Sequence, residues 1–98
     1  MIDVRQTDEY EKWFNSLRDR QAKARIDIRV RRLSLGNAGD AKPVGEGVSE
    51  LRIDYGPGYR VYFVQGADVL IVLLAGGDKR TQDQDIPLAK RLARELQE

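Results

Sequence analysis

The sequence contains no cysteine and no histidine among its 98 residues. Without cysteine the chain has no disulfide bonds, no thiolate nucleophile and no cysteine-ligated metal site. Without histidine it lacks the commonest metal ligand and the usual acid–base group near neutral pH. Any catalysis must therefore rely on other side chains, and we expect neither a metal nor a cofactor.

Long apolar segments are also missing. The longest apolar run covers residues 69–75 and is far shorter than the roughly 20 residues that a membrane-spanning helix needs. No basic-then-apolar segment at the start resembles a signal peptide. We therefore expect a cytoplasmic protein without a membrane partner, and a chain of this length and 41% hydrophobic content predicts one domain over residues 1–98.

Charge is balanced overall but unevenly distributed. The net charge is +1, yet residues 18–32 carry seven cations and two anions, a local balance of 7 − 2 = +5. This composition is compatible with an anionic partner and equally with a helix whose arginines and lysines simply face water. The seven cations are Arg18, Arg20, Lys23, Arg25, Arg29, Arg31 and Arg32.

The first half of the chain predicts a strand and two helices. Alternation over residues 1–6 indicates a short strand, and Thr7 or Asp8 can cap the helix that follows. Tyr10, Trp13, Phe14 and Leu17 recur at helical spacing in that helix, so we interpret them as a core face.

A second helix is predicted over residues 20–35, where Gly36 ends it. Its buried stripe comprises Ala22, Ile26, Val30 and Leu33. A second apolar stripe of Ala24, Ile28 and Leu35 lies beside the first, and it indicates either burial on two sides or a contact surface for another protein.

The second half predicts a long loop, three strands and a final helix. Four glycines and a proline make residues 36–47 the expected loop. Strands follow over residues 48–54, 59–65 and 69–76. We expect regular helix to begin only near Asp85, with Asp83 or Asp85 as the N-cap, because Pro87 fits a first turn better than a helix interior.

The segment ELRIDYGPGYRVYF, residues 50–63, predicts a hairpin around a three-residue loop at residues 56–58. In that register Asp54 faces Arg60 and Arg52 faces Tyr62, and successive pairs alternate between the two sheet faces. One face is then apolar and the other polar. The polar face is either a solvated set of cross-strand ion pairs or a functional site, and its members are Arg52, Asp54, Arg60 and Tyr62.

The next strand is apolar on both sides, which predicts cover on both of its faces, in part from the C-terminal helix. GGDKRTQ follows directly, so Lys79 and Arg80 lie at a strand end. These cations can converge with Arg52 and Arg60 on an anion such as a phosphate. The pair Gly76-Gly77 is by itself only a weak nucleotide-binding signal.

Two segments together carry a family resemblance: GVSELRIDYGPGYRVYF, residues 47–63, and LLAGGDKRTQDQDIPLAKRLA, residues 73–93. They resemble toxins of type II toxin–antitoxin modules in the RelE/ParE superfamily, specifically the HigB-like addiction-module killer branch. The resemblance covers nearly the whole chain. It implies an α+β, RelE-like fold, in which an N-terminal strand and helical hairpin pack on a twisted, mainly antiparallel sheet with a C-terminal helix.

The resemblance also implies that the chain cleaves messenger RNA on the translating ribosome without a metal. The implied partner is a DNA-binding antitoxin encoded beside the toxin. RNA can be cleaved when a ribose 2′-hydroxyl attacks the adjacent phosphate, so the enzyme needs only alignment, proton transfer and charge stabilisation. Without histidine, proton transfer falls to Tyr62, Tyr59, Lys79 or a carboxylate, and we expect neighbouring cations to lower the pKa of such a tyrosine or lysine.

The predicted catalytic residues are Arg60 for phosphate stabilisation, Lys79 for charge neutralisation or proton transfer, Arg52 as a second phosphate contact, and Tyr62 as an acid, base or stacking partner. Contacts with RNA or the ribosome are predicted for Arg25, Arg29, Arg32 and Arg80. Two other functions stay open, a ParE-like toxin that poisons DNA gyrase and a non-catalytic relative that only binds its antitoxin.

Overall fold

The chain folds as a strand, two helices, four further strands and a final helix. The structure is a computed structural model and describes residues 2–67 and 69–96. The elements are β1 (Asp3–Gln6), α1 (Asp8–Ser16), α2 (Arg20–Ser34), β2 (Ala41–Gly45), β3 (Val48–Ile53), β4 (Tyr59–Gly66), β5 (Leu70–Asp78) and α3 (Gln82–Leu96). A 3₁₀ turn over Lys79–Thr81 joins β5 to α3. None of the helices within the described residues is long and apolar enough to cross a bilayer.

The five strands form one sheet in the order β1-β5-β4-β3-β2. Strands β2 to β5 pair with their sequence neighbours in antiparallel fashion, and β1 returns to pair with β5 in parallel. This architecture confirms the predicted α+β fold with an N-terminal strand, two helices, a mainly antiparallel sheet and a C-terminal helix.

The helix starts follow from their capping residues. The Thr7 hydroxyl accepts a hydrogen bond from the backbone N–H of Tyr10 and donates one to the carbonyl of Leu74 in β5. The Asp19 carboxylate accepts from the backbone N–H groups of Gln21 and Ala22 at the start of α2. Such caps satisfy N–H groups that have no partner inside the helix. The predicted Thr7 cap is therefore confirmed.

The predicted loop over residues 36–47 is wrong in part, because residues in its second half form β2. Ala41 pairs with Leu51 and Lys42 with Glu50, and a bulge follows between Pro43 and Gly45. Proline is tolerated here since β2 is an edge strand, and a missing N–H can face outward on such a strand. The glycines and proline that favoured a loop instead shape the bulge and the turn after it.

The predicted start of the last helix is also wrong. Helix α3 begins at Gln82, directly after the 3₁₀ turn, and neither Asp83 nor Asp85 caps it. The turn itself is capped by Asp78, whose carboxylate accepts from the backbone N–H of Arg80 at 2.8 Å. Pro87 lies inside α3, where the surrounding packing offsets the hydrogen bond that proline cannot make.

Two apolar cores lie on opposite faces of the sheet. Helices α1 and α2 cover one core, which includes Tyr10, Ile26, Leu33, Leu51, Ile53, Val61, Phe63, Ile71 and Leu73. Helix α3 covers the other, which consists of Val48, Tyr62, Leu74, Ala75, Ala89 and Ala93. Strand β5 contributes to both cores, which confirms the predicted cover on its two faces.

Gly76 and Gly77 each make room for a side chain on a different face of the sheet. A Cβ atom at Gly76 would overlap the indole ring of Trp13 from α1, and one at Gly77 would overlap the carboxylate of Asp85 from α3. The pair therefore serves close packing on both faces. Trp13 packs against the core on the α1 side, as its helical spacing predicted.

We expect Gly76→Ala to lower the free energy of unfolding by about 1–3 kcal/mol, because the added methyl group must displace Trp13 from a packed core. Gly66→Ala is the matched control, since Gly66 also lies in a strand and an added Cβ meets nothing there within 4 Å. Urea unfolding of the two variants measures the difference. Equal losses of stability would contradict the packing role of Gly76.

Candidate active site

The hairpin of β3 and β4 places Arg52 and Arg60 directly opposite each other. Register partners in antiparallel strands point to the same side of the sheet. The prediction that the two arginines share one face is therefore confirmed.

The predicted pairing within the hairpin is wrong by two residues. Arg52 pairs with Arg60 rather than with Tyr62, and Glu50 takes the position opposite Tyr62. The loop between the strands covers residues 54–58 instead of three residues. Because side chains alternate with a period of two, this shift changes the partners but moves no side chain to the other face.

Contacts with α2 account for the longer loop. The Tyr55 hydroxyl donates to Oδ2 of Asp19 at 2.8 Å, and the Arg25 guanidinium lies 4.7 Å from the centre of the Tyr55 ring. The backbone N–H of Gly58 donates to the carbonyl of Tyr55 and closes the turn. The hydrogen bond from Tyr55, together with those from the helix backbone, holds the pKa of Asp19 below its ordinary value. The loop is thus docked on the start of a helix.

The two arginines share one buried partner, the carboxylate of Glu50, which is 0% exposed. Its Oε1 atom lies 3.1 Å from Nε of Arg52 and 3.6 Å from Nε of Arg60. Its Oε2 atom accepts hydrogen bonds from Nε2 of Gln82 at 2.6 Å and from the Tyr62 hydroxyl at 3.3 Å. Four side chains thus converge on one buried charge, and we call these five residues the Glu50 cluster.

The charged form of Glu50 is favoured despite its burial. Burial acts to raise the pKa of this carboxyl group, but the hydrogen bonds from Gln82 and Arg52 and the charges of Arg60 and Arg52 outweigh it. The pKa of Glu50 is therefore lower than its ordinary value. A carboxylate held in this way stays ionised at neutral pH.

Tyr62 lies in the core beneath α3 and is 0% exposed. Burial, followed by the nearby charges of Glu50 and Asp85, raises the pKa of its hydroxyl well above the ordinary value. Arg60 acts to lower this pKa, as expected of a neighbouring cation, but burial and the two carboxylates outweigh it, so the expected net lowering is wrong. Its hydroxyl donates to Glu50 and supports the cluster from inside.

Arg60 is largely buried, with 13% of its side chain exposed against 33% for Arg52. Its Nη1 atom donates to the carbonyl of Gly58 at 3.1 Å. Its Nε atom is buried, points towards Glu50 and has no hydrogen-bond partner within the described part of the chain. Asp54, which was predicted to face Arg60, lies exposed in the loop instead.

Lys79 is exposed at the start of the 3₁₀ turn, beside the hairpin loop. A Cβ atom placed on Gly58 would lie 3.5 Å from Cβ of Lys79 and 3.4 Å from Nη1 of Arg60. Arg60 from β4 and Lys79 from the 3₁₀ turn therefore both lie next to Gly58. Glycine at this position keeps the space between them open.

The four residues predicted to contact RNA or the ribosome have different environments. The Arg29 guanidinium donates to the carbonyls of Arg52, Ala38 and Asp40, so it fastens the loop after α2 to β3. Three other cations are exposed: Arg25, Arg32 and Arg80. Arg80 lies on the 3₁₀ turn and pairs with Asp78 at 3.3 Å.

The second apolar stripe of α2 is exposed. Ile28 and Leu35 have 49% and 60% of their surfaces accessible, and Ala24 is exposed beside them. Ile28 also lines a shallow groove with Arg25, Arg29 and Arg32. Of the two readings of this stripe, burial on two sides is wrong within the described chain, and a contact surface is retained.

Glu50 and Gln82 belong to the site but were absent from the predicted set. Glu50 lies two residues before Arg52, so the alternation of a strand already placed both on one face. Gln82 is the first residue of α3, and the predicted helix start near Asp85 left it outside that helix. Within residues 2–67 and 69–96, no three acidic side chains gather as a metal site requires.

Comparison with known proteins identifies a relative by sequence and a neighbour by structure. No family model matches the chain. It is 50% identical over 95 residues to an uncharacterized protein of Haemophilus influenzae, a match that covers 97% of this chain and 96% of that protein. It also resembles a chain in the crystal structure of the intact E. coli RelBE toxin–antitoxin complex, with a TM-score of 0.65 and 14% identity over 80% of this chain and 96% of that chain. At this identity the likeness shows a shared, RelE-like fold.

Proposed function

We propose that this chain, which belongs to the same family as the Haemophilus influenzae protein and has a RelE-like fold, is the toxin of a type II toxin–antitoxin system. Within the RelE/ParE superfamily we assign it to the HigB-like branch. Its proposed activity is metal-independent cleavage of messenger RNA on the ribosome, which stops translation in the cytoplasm. The RelE-like fold supports the role as a toxin, and the cationic site supports cleavage of RNA.

The observation that carries this proposal is the pairing of Arg52 with Arg60 beside the exposed Lys79. Cleavage by the ribose 2′-hydroxyl develops extra negative charge on the phosphate, and fixed cations stabilise that charge. In our proposal Arg60 and Arg52 contact the scissile phosphate. Lys79 neutralises charge or transfers a proton at the rim of the site.

Tyr62 has a supporting role in this proposal. A fully buried hydroxyl with a raised pKa is a poor proton donor or acceptor at neutral pH, and it has no open face for stacking on a base. Tyr59 packs against Trp13 on the other face of the sheet, so proton transfer in this proposal falls to Lys79 or to a carboxylate. Contacts with ribosomal or messenger RNA fall to the exposed cations Arg25, Arg32 and Arg80, while Arg29 shapes the loop beside them.

The test is to induce the chain in cells and map new RNA 5′ ends, with one reporter message that is translated and a copy that lacks its ribosome-binding site. We expect new ends in the translated message and none in the untranslated copy. Growth arrest without new 5′ ends would overturn the proposal and support the gyrase-poisoning alternative. Ends in both messages would remove the dependence on the ribosome.

A non-catalytic, antitoxin-binding role is the second candidate, and one observation favours it. Arg52 and Arg60 are both already paired with Glu50, so part of their charge is neutralised before any phosphate arrives. Such a chain would bind its partner without arresting growth. The same induction experiment distinguishes this role, because neither growth arrest nor new 5′ ends would appear.

The antitoxin in our proposal covers the α2 apolar stripe and its basic border. Exposed apolar side chains next to cations suit an acidic, amphipathic segment, which buries one side and pairs its charges with the other. Ile28 and Leu35 supply the apolar contacts, and Arg25 and Arg32 supply the cations.

We expect the double variant Ile28→Asp/Leu35→Asp to remain toxic while its rescue by the co-expressed neighbouring gene weakens at least about tenfold, since two desolvated carboxylates oppose docking. Leu96→Asp is the control, because Leu96 is 50% exposed but lies at the end of α3, on the opposite face of the sheet from α2. Growth at graded levels of the partner measures rescue. Full rescue of the double variant would place the antitoxin elsewhere.

A further inference from the structure

We propose that Glu50 is a positioning residue, which sets the geometry of the Arg52 and Arg60 guanidinium groups for a phosphate. This inference rests on the proposed function. It starts from the energetic cost of burying Glu50, because a completely buried carboxylate is costly to desolvate. Apolar residues in its place often stabilise a fold as well as a buried ion pair does. A role in stability alone therefore explains this carboxylate poorly.

Glu50 solves a problem that the hairpin register creates. Arg52 and Arg60 are direct cross-strand partners, and like charges in that position repel each other. One carboxylate oxygen between the two Nε atoms lets both guanidinium groups lie side by side. The three charges sum to +1, so the cluster itself is cationic, and the exposed Asp40, whose Oδ1 lies 4.0 Å from Nη1 of Arg52, offsets this charge only weakly through water.

The contacts leave the phosphate-binding ends of the arginines unused by Glu50. The carboxylate approaches each guanidinium at Nε, while the paired N–H groups that recognise a phosphate include the terminal Nη atoms. Nη1 of Arg60 is directed to the carbonyl of Gly58, at the rim next to Lys79. Nη1 of Arg52 lies 4.0 Å from Oδ1 of Asp40, an exposed carboxylate. The buried Glu50 thus holds the pair at Nε, and among the described residues the Nη1 atoms have partners only at the rim of the cluster, which a phosphate can replace.

The two arginines are held with different tightness. Nε of Arg52 is hydrogen-bonded to Glu50 at 3.1 Å, whereas Nε of Arg60 stands at 3.6 Å and lacks a hydrogen-bond partner among the described residues. A phosphate can therefore draw Arg60 forward without breaking a hydrogen bond to Glu50, and it replaces the carbonyl of Gly58 as the partner of Nη1. In this arrangement Arg52 is the fixed contact and Arg60 is the one that responds to developing charge.

Glu50 is itself fixed from the opposite side. Gln82 and Tyr62 both donate to Oε2, which leaves Oε1 for the arginines. Glu50 therefore acts through the two guanidinium groups that contact the phosphate. A shift of about 1 Å in such a group can slow a reaction on the order of a hundredfold. Gln82 and Tyr62 are positioning residues in the same sense, one step further from the phosphate.

The test compares Glu50→Gln, which keeps the shape and removes the charge, with Glu46→Gln. Glu46 is exposed and pairs with Arg94 at 3.0 Å, so its variant removes an ion pair outside the site. Single-turnover cleavage of a ribosome-bound message, titrated with toxin, gives the maximal rate and the half-saturating concentration. We expect the maximal rate of Glu50→Gln to fall about ten- to a hundredfold with a much smaller change in half-saturation, and Glu46→Gln to match the wild type.

A normal maximal rate for folded Glu50→Gln, with only a lower melting temperature, overturns the proposal. If that variant does not fold, Tyr62→Phe takes its place, since it removes only the hydroxyl that orients Oε2. We expect a rate loss of several-fold for Tyr62→Phe, and an unchanged rate overturns the proposal in that case as well.

A second measurement separates this inference from the proposed function, because it needs no cleavage. NMR of the arginine Nε–Hε groups follows Arg52 and Arg60 during titration with an RNA trinucleotide in which the 2′-hydroxyls next to the phosphates are methylated, so that it cannot be cleaved. We expect both signals to shift in the wild type, and the Arg60 response to weaken at least about tenfold in Glu50→Gln or Tyr62→Phe. The same titration curve in wild type and variant overturns the inference, whereas absence of cleavage by the wild type overturns only the function.

Discussion

Arg60→Ala is expected to slow single-turnover cleavage of a ribosome-bound message by about a hundred- to a thousandfold, the usual loss when one fixed charge-stabilising donor is removed. Arg60 is the arginine whose Nε lacks a hydrogen-bond partner in the described chain and whose Nη1 lies beside Lys79. The variant lacks the guanidinium group that, in our proposal, strengthens its contact with the scissile phosphate as negative charge develops there. We expect Lys79→Ala to reduce the rate in the same direction.

Arg60→Ala is also expected to lower stability, which differs from what the sequence suggests for an exposed pair with Asp54. The side chain is only 13% exposed, and its removal leaves the buried Glu50 with one arginine instead of two. Breaking a buried pair costs about 3–5 kcal/mol when nothing replaces it, and Arg52 reduces the cost here. Lys79→Ala, by contrast, removes an exposed side chain, so the variant should be about as stable as the wild type.

The double variant Arg60→Ala/Glu50→Gln separates these two effects. Removing the buried charge should restore part of the lost stability, while cleavage stays slow because the arginine is still absent. Arg91→Ala is the control for a simple loss of positive charge, since Arg91 forms an exposed pair with Glu95 on α3. Thermal unfolding and single-turnover rates are measured on all variants. Cleavage at the normal rate by folded Arg60→Ala would show that the active site lies elsewhere.

Glu50→Ala is expected to destabilise the fold by about 3–5 kcal/mol at pH 7, because two guanidinium groups lose their buried counter-charge. Such a loss is a large part of the roughly 5–15 kcal/mol that stabilises a typical domain. Glu50→Gln should be milder, since the amide fills the same space and can still accept a hydrogen bond from Arg52. Urea unfolding at pH 7 measures both variants.

The pH dependence of this effect has a definite sign. The pKa of Glu50 is lower in the folded chain than its ordinary value, so its contribution to stability is complete above about pH 4.3 and is lost as pH falls through the folded pKa. The stability difference between wild type and Glu50→Gln should therefore shrink below about pH 4. Asp19, whose pKa is also lowered, titrates in both proteins and cancels in the difference. A difference that stays constant down to pH 3 would contradict the buried ion pair.

Apolar patterning predicted the helices that bury one side and the strand that is buried on both faces. The helical spacing in α1 and α2, the Thr7 cap of α1 and the apolar run of β5 all gave elements close to those observed. Predictions failed where tertiary contacts outweigh local preference. Strand β2 forms in a segment rich in glycine because β3 offers an edge, and the hairpin loop takes residues 54–58 because Tyr55 binds the start of α2.

Part of the candidate site could be predicted from the alternation of side chains along the strands. Alternation along β3 and β4 places Arg52 and Arg60 on one face in either register, so their proximity follows from the sequence. Burial of that face does not follow, because it depends on where α3 lies. A face composed of Glu50, two arginines and Tyr62 is typical of a solvated surface, and only the packing of α3 changes it into a closed cluster.

The cover that α3 provides has a consequence for the order of events during synthesis. The chain leaves the ribosome from its N-terminus, so β3 and β4 emerge before the helix that contributes Gln82 and covers Tyr62. Until that helix has emerged, the carboxylate of Glu50 stays in water, where its attraction to the two arginines is weak. The arginine pair therefore gains its fixed geometry only after α3 is made. In the proposed function, a growing chain leaves its own ribosome unharmed up to that point.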